Sequence, residues 1–194
     1  MGSHRMVTKQ VSFYEEMTNV PFIIAGPGIH PRQKPVEDLL TQPTIDLLPT
    51  LCELAGIPVP SSKPGISLAP FLKGEKQKRQ HPYAASEWHS EYEVTVSPGR
   101  MIRSPRYKYT HYLEGNGEEL YDMLKDKGER RNLAHDPKYS KILAEHRARL
   151  DDYIRRTQDD YRSLKVEADK RWRSHAPGYP NHEGPCARDI INRK

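Results

Sequence analysis

Residues 9–30, KQVSFYEEMTNVPFIIAGPGIH, decide how this chain is interpreted, because they place one lysine upstream of an apolar run that ends in a glycine–proline turn. The run over residues 20–25 predicts a β-strand. Pro21 lies near the start of that strand, where a missing N–H is tolerated, and Gly26-Pro27-Gly28 is typical of a tight turn. We therefore expect the residues before the strand, including Lys9, to form a loop.

A helix is predicted after this strand, over residues 46–55. Asp46 can cap its N-terminus, and Pro49 falls inside the first turn, where the donor that proline lacks is not needed. One apolar stripe follows the helical repeat and is expected to face a sheet: Leu47, Leu48, Leu51, Leu54 and Ala55. Gly56 then ends the helix, since glycine readily adopts left-handed backbone angles.

From residue 83 onward, the pattern of apolar and polar residues changes to the two-residue repeat that is typical of strands. Four runs of β-forming residues predict a small antiparallel sheet, at residues 83–88, 100–103, 107–113 and 119–123. Asp136 and Pro137 then predict the start of a long helix. One face of that helix is marked for several turns by Tyr139, Ile142, Leu143, His146, Leu150, Tyr153 and Ile154. The predicted fold class is α+β, with a four-stranded antiparallel sheet packed on a long helix.

Charge and composition set limits on the ligand. The formal charge of +5 favours anionic ligands through long-range attraction, and nucleic acid and sulfated sugar both qualify. The 31 basic residues are interspersed with 26 acidic ones, without the basic block that nucleic-acid-binding arms carry. We therefore predict a sulfated carbohydrate or another small anion as the ligand, and no nucleic-acid partner.

Cysteine content and apolar runs exclude further classes. Cys52 and Cys186 are too few for a disulfide framework or a zinc site. No apolar run approaches the roughly 20 residues of a membrane span, so none is predicted. Residues 1–10 lack the apolar centre of a signal peptide, which leaves the compartment open. The opening Met-Gly-Ser-His is compatible with a tag remainder or with native sequence.

Several motifs together resemble the sulfatase family of the alkaline-phosphatase superfamily. The first joins Lys9 to Tyr14-Glu15-Glu16 and to the Val-Pro-x-Ile-Ile-x-Gly-Pro-Gly-Ile run that begins at Val20. Residues 46–58 are similar to the helix that follows this strand in sulfatases, and residues 65–74 are similar to the G-x-S-L-x-P-x-L-x-G segment of the family. The last two, residues 99–109 and 119–134, resemble the C-terminal subdomain of the family. Their order and spacing make the match specific over about residues 2 to 157.

The resemblance implies an α/β parent fold and the first two of three parts within this chain. Residues 1–75 would be the C-terminal remnant of the large α/β sulfatase domain, with one strand and one helix of it. Residues 76–157 would form the small C-terminal subdomain, built from the antiparallel sheet and the long helix. The third part comes from the sequence pattern and not from the resemblance: the helical periodicity fades beyond residue 157, and residues 158–194 are predicted to be a charged tail that contains proline and glycine.

The resemblance also implies a reaction and its cofactors. Sulfatases hydrolyse sulfate esters with a formylglycine made from the cysteine of a C-x-P-x-R segment, beside a calcium ion held by carboxylates and an amide. Cys52 is followed by Glu-Leu-Ala and Cys186 by Ala-Arg-Asp, so neither lies in such a segment. The metal-binding segment of the family would lie immediately before Met1. Calcium and formylglycine are therefore implied for the full-length family, with no cofactor or metal ligand in this chain, which we expect to be inactive alone.

Two residues are predicted to be catalytic. Lys9 occupies the position of the family's lysine that contacts the sulfate, and a compact ammonium with three donors suits that task. A solvated loop lysine is the alternative. His4 is the second candidate, as a hydrogen-bond donor or proton shuttle near the same pocket, and a bystander role stays open.

Substrate recognition in sulfatases tends to draw on the C-terminal subdomain. Glu87-Trp88-His89 ends the first predicted strand of that subdomain, and Arg100 and Arg103 lie in the next. Together they combine an aromatic face, hydrogen-bonding groups and forked cations suited to an anionic sugar. We predict Glu87, His89, Arg100 and Arg103 to bind substrate, with a ladder of surface strand ends as the alternative.

The sequence therefore predicts the C-terminal part of a sulfuric-ester hydrolase whose substrate is a sulfated carbohydrate. A phosphonate or phosphodiester hydrolase of the same superfamily is one alternative. A non-catalytic module that binds anionic glycans, or that completes another chain's sheet, is the other. The parent protein is expected to be periplasmic, lysosomal or secreted. The strand at residues 20–25 and the apolar stripe of the following helix would lack cover in this chain, which predicts self-association or partial disorder of residues 1–75.

Overall fold

A computed structural model describes residues 4, 12–31, 34–36, 39–61, 64–76, 81–89, 98–113 and 117–164 of the chain. Its helices and strands are, in order, α1 (Glu15–Thr18), α2 (Pro43–Leu54), α3 (Ala69–Leu72), β1 (Ala84–Trp88), β2 (Gly99–Arg103), β3 (Tyr107–Tyr112), β4 (Gly117–Asp122) and α4 (Ser140–Thr157). Short 3₁₀ helices span Pro137–Tyr139 and Tyr161–Ser163. The chain divides into two compact units, the first made of Met1–Thr18, Ser86–Ile102 and Arg106–Lys194, the second of Asn19–Ala85 and Arg103–Pro105.

The four strands form one sheet in the order β1-β2-β3-β4. Strands β3 and β4 pair antiparallel, with Tyr107 opposite Asp122 and Tyr112 opposite Gly117. Each of the four strands predicted for the sheet lies within two residues of an observed one. The predicted α+β fold, with a four-stranded antiparallel sheet and a long helix, is confirmed.

Alternation along β3 gives the sheet of the first unit two covered faces. On one face, the Tyr107 ring meets the His146 ring of α4 edge-on at 5.9 Å, and His111 Nδ1 lies 2.8 Å from the Tyr161 hydroxyl. On the other face, the Lys108 ammonium donates to the carbonyl of Phe13. A buried lysine therefore lies within the strand that forms the middle of this core.

Helix α4 begins at Ser140, and a 3₁₀ turn occupies the predicted start at Pro137. Asp136 accepts a hydrogen bond from the Lys138 N–H, and Pro137 opens the 3₁₀ turn that leads into the helix. Leu143, His146 and Leu150 are buried on the face that was predicted to be apolar. The buried face of this helix is thus confirmed, while Asp136 caps the 3₁₀ turn that precedes α4 rather than α4 itself.

Residue Tyr161 lies in the range predicted to be tail, yet its side chain is fully buried in the first unit. Its hydroxyl donates to the backbone carbonyl of His111, and its ring lies 4.4 Å below the Arg100 guanidinium carbon. The packed part of this unit thus extends beyond residue 157. The domain boundaries at residues 75 and 157 stay predictions.

Helix α2, in the second unit, begins at Pro43 rather than at Asp46. Asp46 still serves the helix start, because its carboxylate accepts a hydrogen bond from the backbone N–H of Gln42 from inside the first turn. The buried face carries Asp46, Pro49 and Thr50, while the predicted apolar stripe is largely exposed at Leu47, Leu48 and Leu51. The stripe therefore packs against no sheet within the described part of this unit.

Residues 20–25, which were predicted to form a strand, contain no strand. A β-strand needs a partner for its backbone N–H and C=O groups, and no described segment of the second unit pairs with this run. The turn that follows has the expected glycine, with Gly28 in the left-handed region at φ 75°. Among the described residues, no helix combines the length and the apolar character needed to cross a bilayer.

Candidate functional site

Of the two predicted catalytic residues, the structure describes one. Lys9 lies outside the described residues. The ring of His4 stacks flat on Tyr14, with ring centroids 3.6 Å apart and planes 1° from parallel. His4 Nε2 lies 3.9 Å from a Glu16 carboxylate oxygen and is buried without a hydrogen bond to any described residue.

Beside His4 lies a buried group of charges, centred on Lys108 and made of Lys108, Glu15 and Glu129, which we call the ionic cluster. The Lys108 side chain is only 1% exposed. Its ammonium lies 2.7 Å from a Glu15 carboxylate oxygen, 2.9 Å from one of Glu129 and 2.7 Å from the carbonyl oxygen of Phe13. The ammonium thus donates a hydrogen bond to one carbonyl and lies within ion-pair distance of two carboxylates, which supply the counter-charge that a buried ammonium requires.

The second oxygen of Glu129 completes the cluster. It accepts a hydrogen bond of 2.7 Å from the backbone N–H of Glu15, at the start of α1. A carboxylate at a helix start satisfies one of the N–H groups that have no partner inside the helix. Glu129 itself has left-handed backbone angles, with φ 49°, which are unfavourable for a residue other than glycine. The turn is held by Asp126, whose carboxylate accepts from the N–H groups of Arg130 and Arg131.

A second buried carboxylate, Glu119, lies close to the ionic cluster. It accepts a hydrogen bond of 3.3 Å from the Tyr14 hydroxyl. Burial raises the pKa of Glu119 to about 7, and the neighbouring charge of Glu129 adds to that rise. Burial also raises the pKa of Glu129, although Lys108 opposes this shift. Burial raises the pKa of the Tyr14 phenol as well, so Tyr14 acts here as a neutral donor.

Three possible metal ligands come together at His4, Glu16 and Glu129: one ring nitrogen and two carboxylate oxygens, which all lie within 4.8 Å of one another. In principle a nitrogen and two carboxylate oxygens can hold a divalent cation. The Glu129 oxygens are already taken, one by the Lys108 ammonium and the other by the Glu15 N–H. An ammonium in that place repels a metal ion, so these residues fit an ionic cluster better than a metal centre.

The predicted substrate-binding residues fall into two groups. Glu87, Trp88 and His89 lie at the end of β1, where Glu87 and His89 are exposed. Glu87 accepts a hydrogen bond of 2.6 Å from the Tyr153 hydroxyl of α4. The Trp88 Nε1 atom is buried and donates to no described residue. These side chains present an aromatic ring, a carboxylate and an imidazole along one edge of the first unit.

Arg100, by contrast, is 2% exposed and is directed inward. Its guanidinium binds the Asp159 carboxylate through two hydrogen bonds of 2.6 and 2.8 Å. It also donates to the carbonyl oxygens of Trp88 and Gly99. The Asp159 pair raises the pKa of Arg100 in spite of its burial. In this geometry Arg100 joins β1, β2 and the chain after α4, and its contact with a substrate stays a prediction.

Arg103 lies in the second unit, at the end of β2, and its guanidinium donates to the neighbouring carbonyl of Ser104. It is half-buried. The structure thus brings Glu87 and His89 together at one strand end of the first unit.

Sequence reasoning missed the ionic cluster. Lys108, Glu129 and the Glu15–Glu16 pair were noted only as parts of motifs. The available signal was the position of Lys108 in a run of alternating aromatic residues, Tyr107-Lys108-Tyr109, where a charged side chain must either leave the sheet or find buried partners. The identity of those partners depends on contacts between residues about a hundred positions apart, which no local pattern reveals.

Comparison with known proteins identifies the family. The family model described as "N-sulphoglucosamine sulphohydrolase, C-terminal" matches residues 2–156. The match covers most of the chain and includes β1 to β4, α4 and the ionic cluster. The chain therefore belongs to this family of sulfatase C-terminal regions, as the resemblance of its motifs predicted.

Individual relatives point in the same direction. Over all 194 residues the chain is 76% identical to the Delta 4,5-hexuronate-2-O-sulfatase of Bacteroides thetaiotaomicron, of which it covers 40%. It superposes on the solved structure of a 2-O GAG sulfatase with a TM-score of 0.84 and 76% identity, covering 97% of this chain and 41% of the other. It is also 33% identical over 139 residues to arylsulfatase K of Canis lupus familiaris, covering 68% of this chain and 25% of that relative. The chain thus spans less than half the length of these relatives.

Proposed function

We propose that these residues act as the C-terminal part of a sulfatase that hydrolyses sulfate esters of a glycan. The observation that carries the proposal is the 76% identity to a hexuronate-2-O-sulfatase, in a match that covers 100% of this chain. The matched region includes the segment that contains His4 and Lys9 as well as the sheet. The same similarity supports a finer proposal, in which the substrate carries a 2-O-sulfate on an unsaturated hexuronate.

Within this function, Lys9 contacts the sulfate and stabilises the charge that develops on its oxygens. His4 lies in the same segment, and its stacking on Tyr14 holds the ring in one orientation. At the end of β1, the exposed Glu87 and His89 contact the sugar, with Tyr153 fixing the Glu87 carboxylate through its hydroxyl. Arg100 supports that strand end through its bond to the Trp88 carbonyl.

Sulfatases as a family use calcium and formylglycine, and neither the two cysteines of the sequence nor the described group of possible metal ligands fits them. Cys52 lies in α2, followed by Glu-Leu-Ala, and Cys186 is followed by Ala-Arg-Asp. The His4, Glu16 and Glu129 group is closed to a cation by Lys108. We propose that both groups belong to the portion of the sulfatase that the present chain does not match, and that the 194 residues alone release no sulfate.

The test is a chimera in which these 194 residues replace the matching part of the Bacteroides thetaiotaomicron sulfatase. Sulfate release from a 2-O-sulfated unsaturated disaccharide is measured for the chimera and for the 194-residue chain. The proposal expects turnover by the chimera and none by the chain. A folded chimera that cleaves a phosphonate monoester but no sulfate ester would favour the phosphonate hydrolase alternative. If the folded chimera hydrolyses nothing and the 194-residue chain binds sulfated glycans saturably, the two results together would favour the binding-module alternative.

A further inference from the structure

The segment from Phe13 to Thr18 has an unusual amount of buried polar support for so short a piece of chain. Helix α1 contributes only four residues and has no buried residue of its own. A helix of one turn is unstable without tertiary contacts, because the conformational entropy lost in forming the first turn outweighs the hydrogen bonding that it gains. The position of this segment must therefore be set by what it contacts.

Those contacts converge on Lys108. The ammonium binds the backbone carbonyl of Phe13 and the side chain of Glu15, and it lies 3.4 Å from the Thr18 hydroxyl. Glu129, paired with the same ammonium, binds the backbone N–H of Glu15. One buried lysine and its partner carboxylate thus hold the segment at its beginning, its middle and its end.

The anchored segment supports a residue of the candidate site. Tyr14, between the two anchored residues Phe13 and Glu15, is the platform on which the His4 ring stacks. The Tyr14 hydroxyl is fixed in turn by Glu119 of β4. Lys9 precedes the anchored Phe13 by four residues in the chain. Any shift of the segment would move the support of His4 and the point from which the chain leads to Lys9.

We infer that Lys108, together with Glu129, is a positioning residue for the His4 and Lys9 segment, and that its task is to fix the anchored residues Phe13 to Thr18 on the sheet. The inference rests on the proposed function, since it is the sulfate site that is positioned. A buried ionic cluster suits such a task because its geometry is narrow, with three acceptors arranged around one ammonium. An apolar side chain in the place of Lys108 would fill the space but leave the two carboxylates without their counter-charge.

The first measurement is hydrogen exchange of the peptide spanning residues 12–18 in the 194-residue chain. Lys108→Met is expected to speed exchange in this peptide by at least about tenfold, with little change in the part of α4 that contains Leu143 and Leu150. Arg147→Met is the matched control, because Arg147 forms a charged pair with Glu118 on the opposite face of the same sheet. It is expected to leave the peptide spanning residues 12–18 unchanged.

The second measurement is the rate of sulfate release by the chimera that carries the same substitutions. Misplacement of a reacting group by about 1 Å can cost roughly a hundredfold in rate, so Lys108→Met is expected to lower kcat by at least about tenfold while KM changes less. Glu129→Gln keeps the size of the side chain and its acceptor for the Glu15 N–H, and it is expected to lower kcat by a smaller factor. Should Lys108→Met fail to fold, Glu129→Gln carries the test.

The outcomes separate the two proposals. Normal exchange of the peptide spanning residues 12–18 in folded Lys108→Met and Glu129→Gln would overturn the inference, whatever the activity of the chimera. So would an active chimera whose kcat is unaffected by either substitution, and in that case the proposed function would stand. An unsubstituted chimera that folds but hydrolyses no sulfate ester would contradict the proposed function, and hydrogen exchange of residues 12–18 would still show whether Lys108 and Glu129 fix that segment.

Discussion

The buried carboxylate of Asp46 lies 2.8 Å from Nε2 of His81, thirty-five residues further along the chain. The same carboxylate accepts hydrogen bonds from the backbone N–H groups of Gln42 and Ile66. One side chain therefore joins the start of α2, the segment before α3 and the approach to β1. Leu47, Leu48 and Leu51 of α2 are exposed, so the hydrogen bonds of Asp46 are a main source of tertiary contact for this helix in the second unit.

Replacing Asp46 should therefore destabilise the second unit strongly. Asp46→Ala would leave three donors unpaired in a buried site, at roughly 1–3 kcal/mol for each donor. Urea unfolding of the 194-residue chain measures the effect. Glu53→Ala, an exposed substitution in the same helix, serves as the control and should change the free energy of unfolding by less than about 0.5 kcal/mol. Equal stability of the two variants would refute the structural role of Asp46.

Gly99 tests how closely the Phe13 ring approaches the sheet. A Cβ atom added at Gly99 would lie 2.5 Å from Phe13 Cε2 and 3.2 Å from Tyr112 Cδ1. Gly99→Ala must push Phe13 out of place, and overpacking of this kind costs typically about 1–3 kcal/mol. Gly26→Ala is the matched control, because an added Cβ there would meet its nearest atom only at 3.9 Å. Thermal unfolding of both variants decides the point, and unchanged stability of Gly99→Ala would argue against the packing described here.

Glu119 should make the stability of the first unit depend on pH. Burial raises its pKa to about 7 from an ordinary value of 4.5, so the folded state holds a proton that the unfolded state has already lost. The free energy of unfolding contributed by this residue therefore falls as the pH rises from about 4.5 to 7, by at most about 3 kcal/mol. Glu119→Gln removes this dependence.

Urea unfolding at pH 5 and pH 8 checks this sign. Relative to the unsubstituted chain, Glu119→Gln should become more stable as the pH rises. Glu53→Gln, at an exposed site, should show no such trend. A stability difference between Glu119→Gln and the unsubstituted chain that is the same at both pH values would show that Glu119 titrates normally.

The exposed stripe of α2 should cause self-association of the 194-residue chain. Leu48 and Leu51 are 45% and 50% exposed, and contiguous apolar surface of this kind normally marks a contact surface. Sedimentation over a dilution series is expected to show a concentration-dependent increase in mass. The double substitution Leu48→Glu and Leu51→Glu should abolish it, and Glu75→Gln, at an exposed residue outside the stripe, should not. A chain that stays monomeric at every concentration would contradict this prediction.

Local pattern was sufficient for the first unit's secondary structure. Strand runs separated by turn residues predicted β1 to β4, and Asp136-Pro137 predicted the start of the helical region that leads into α4, because these signals act over a few residues. The run at residues 20–25 has the composition of a strand but forms none in this chain, since strand formation depends on a distant partner.

The site was predictable to a lesser extent. The motif around Lys9 and His4 drew attention to that segment, and Glu87 and His89 are exposed at the end of β1, while their roles stay predictions. The orientation of Arg100 could not be foreseen, because its partner Asp159 lies 59 residues away. For the same reason the convergence of Glu15 and Glu129 on Lys108 could be recognised only in three dimensions.

The most direct test of the central claim is the effect of Lys9 on sulfate release by the chimera. Removing a group that stabilises developing charge in a transition state typically costs about a hundredfold or more in kcat. The kcat of the Lys9→Ala chimera should therefore be lower than that of the unsubstituted chimera by at least that factor. Lys73→Ala, at an exposed lysine of the second unit, should retain the rate of the unsubstituted chimera. Full turnover by a folded Lys9→Ala chimera would contradict the claim that this chain supplies the lysine that acts on the sulfate.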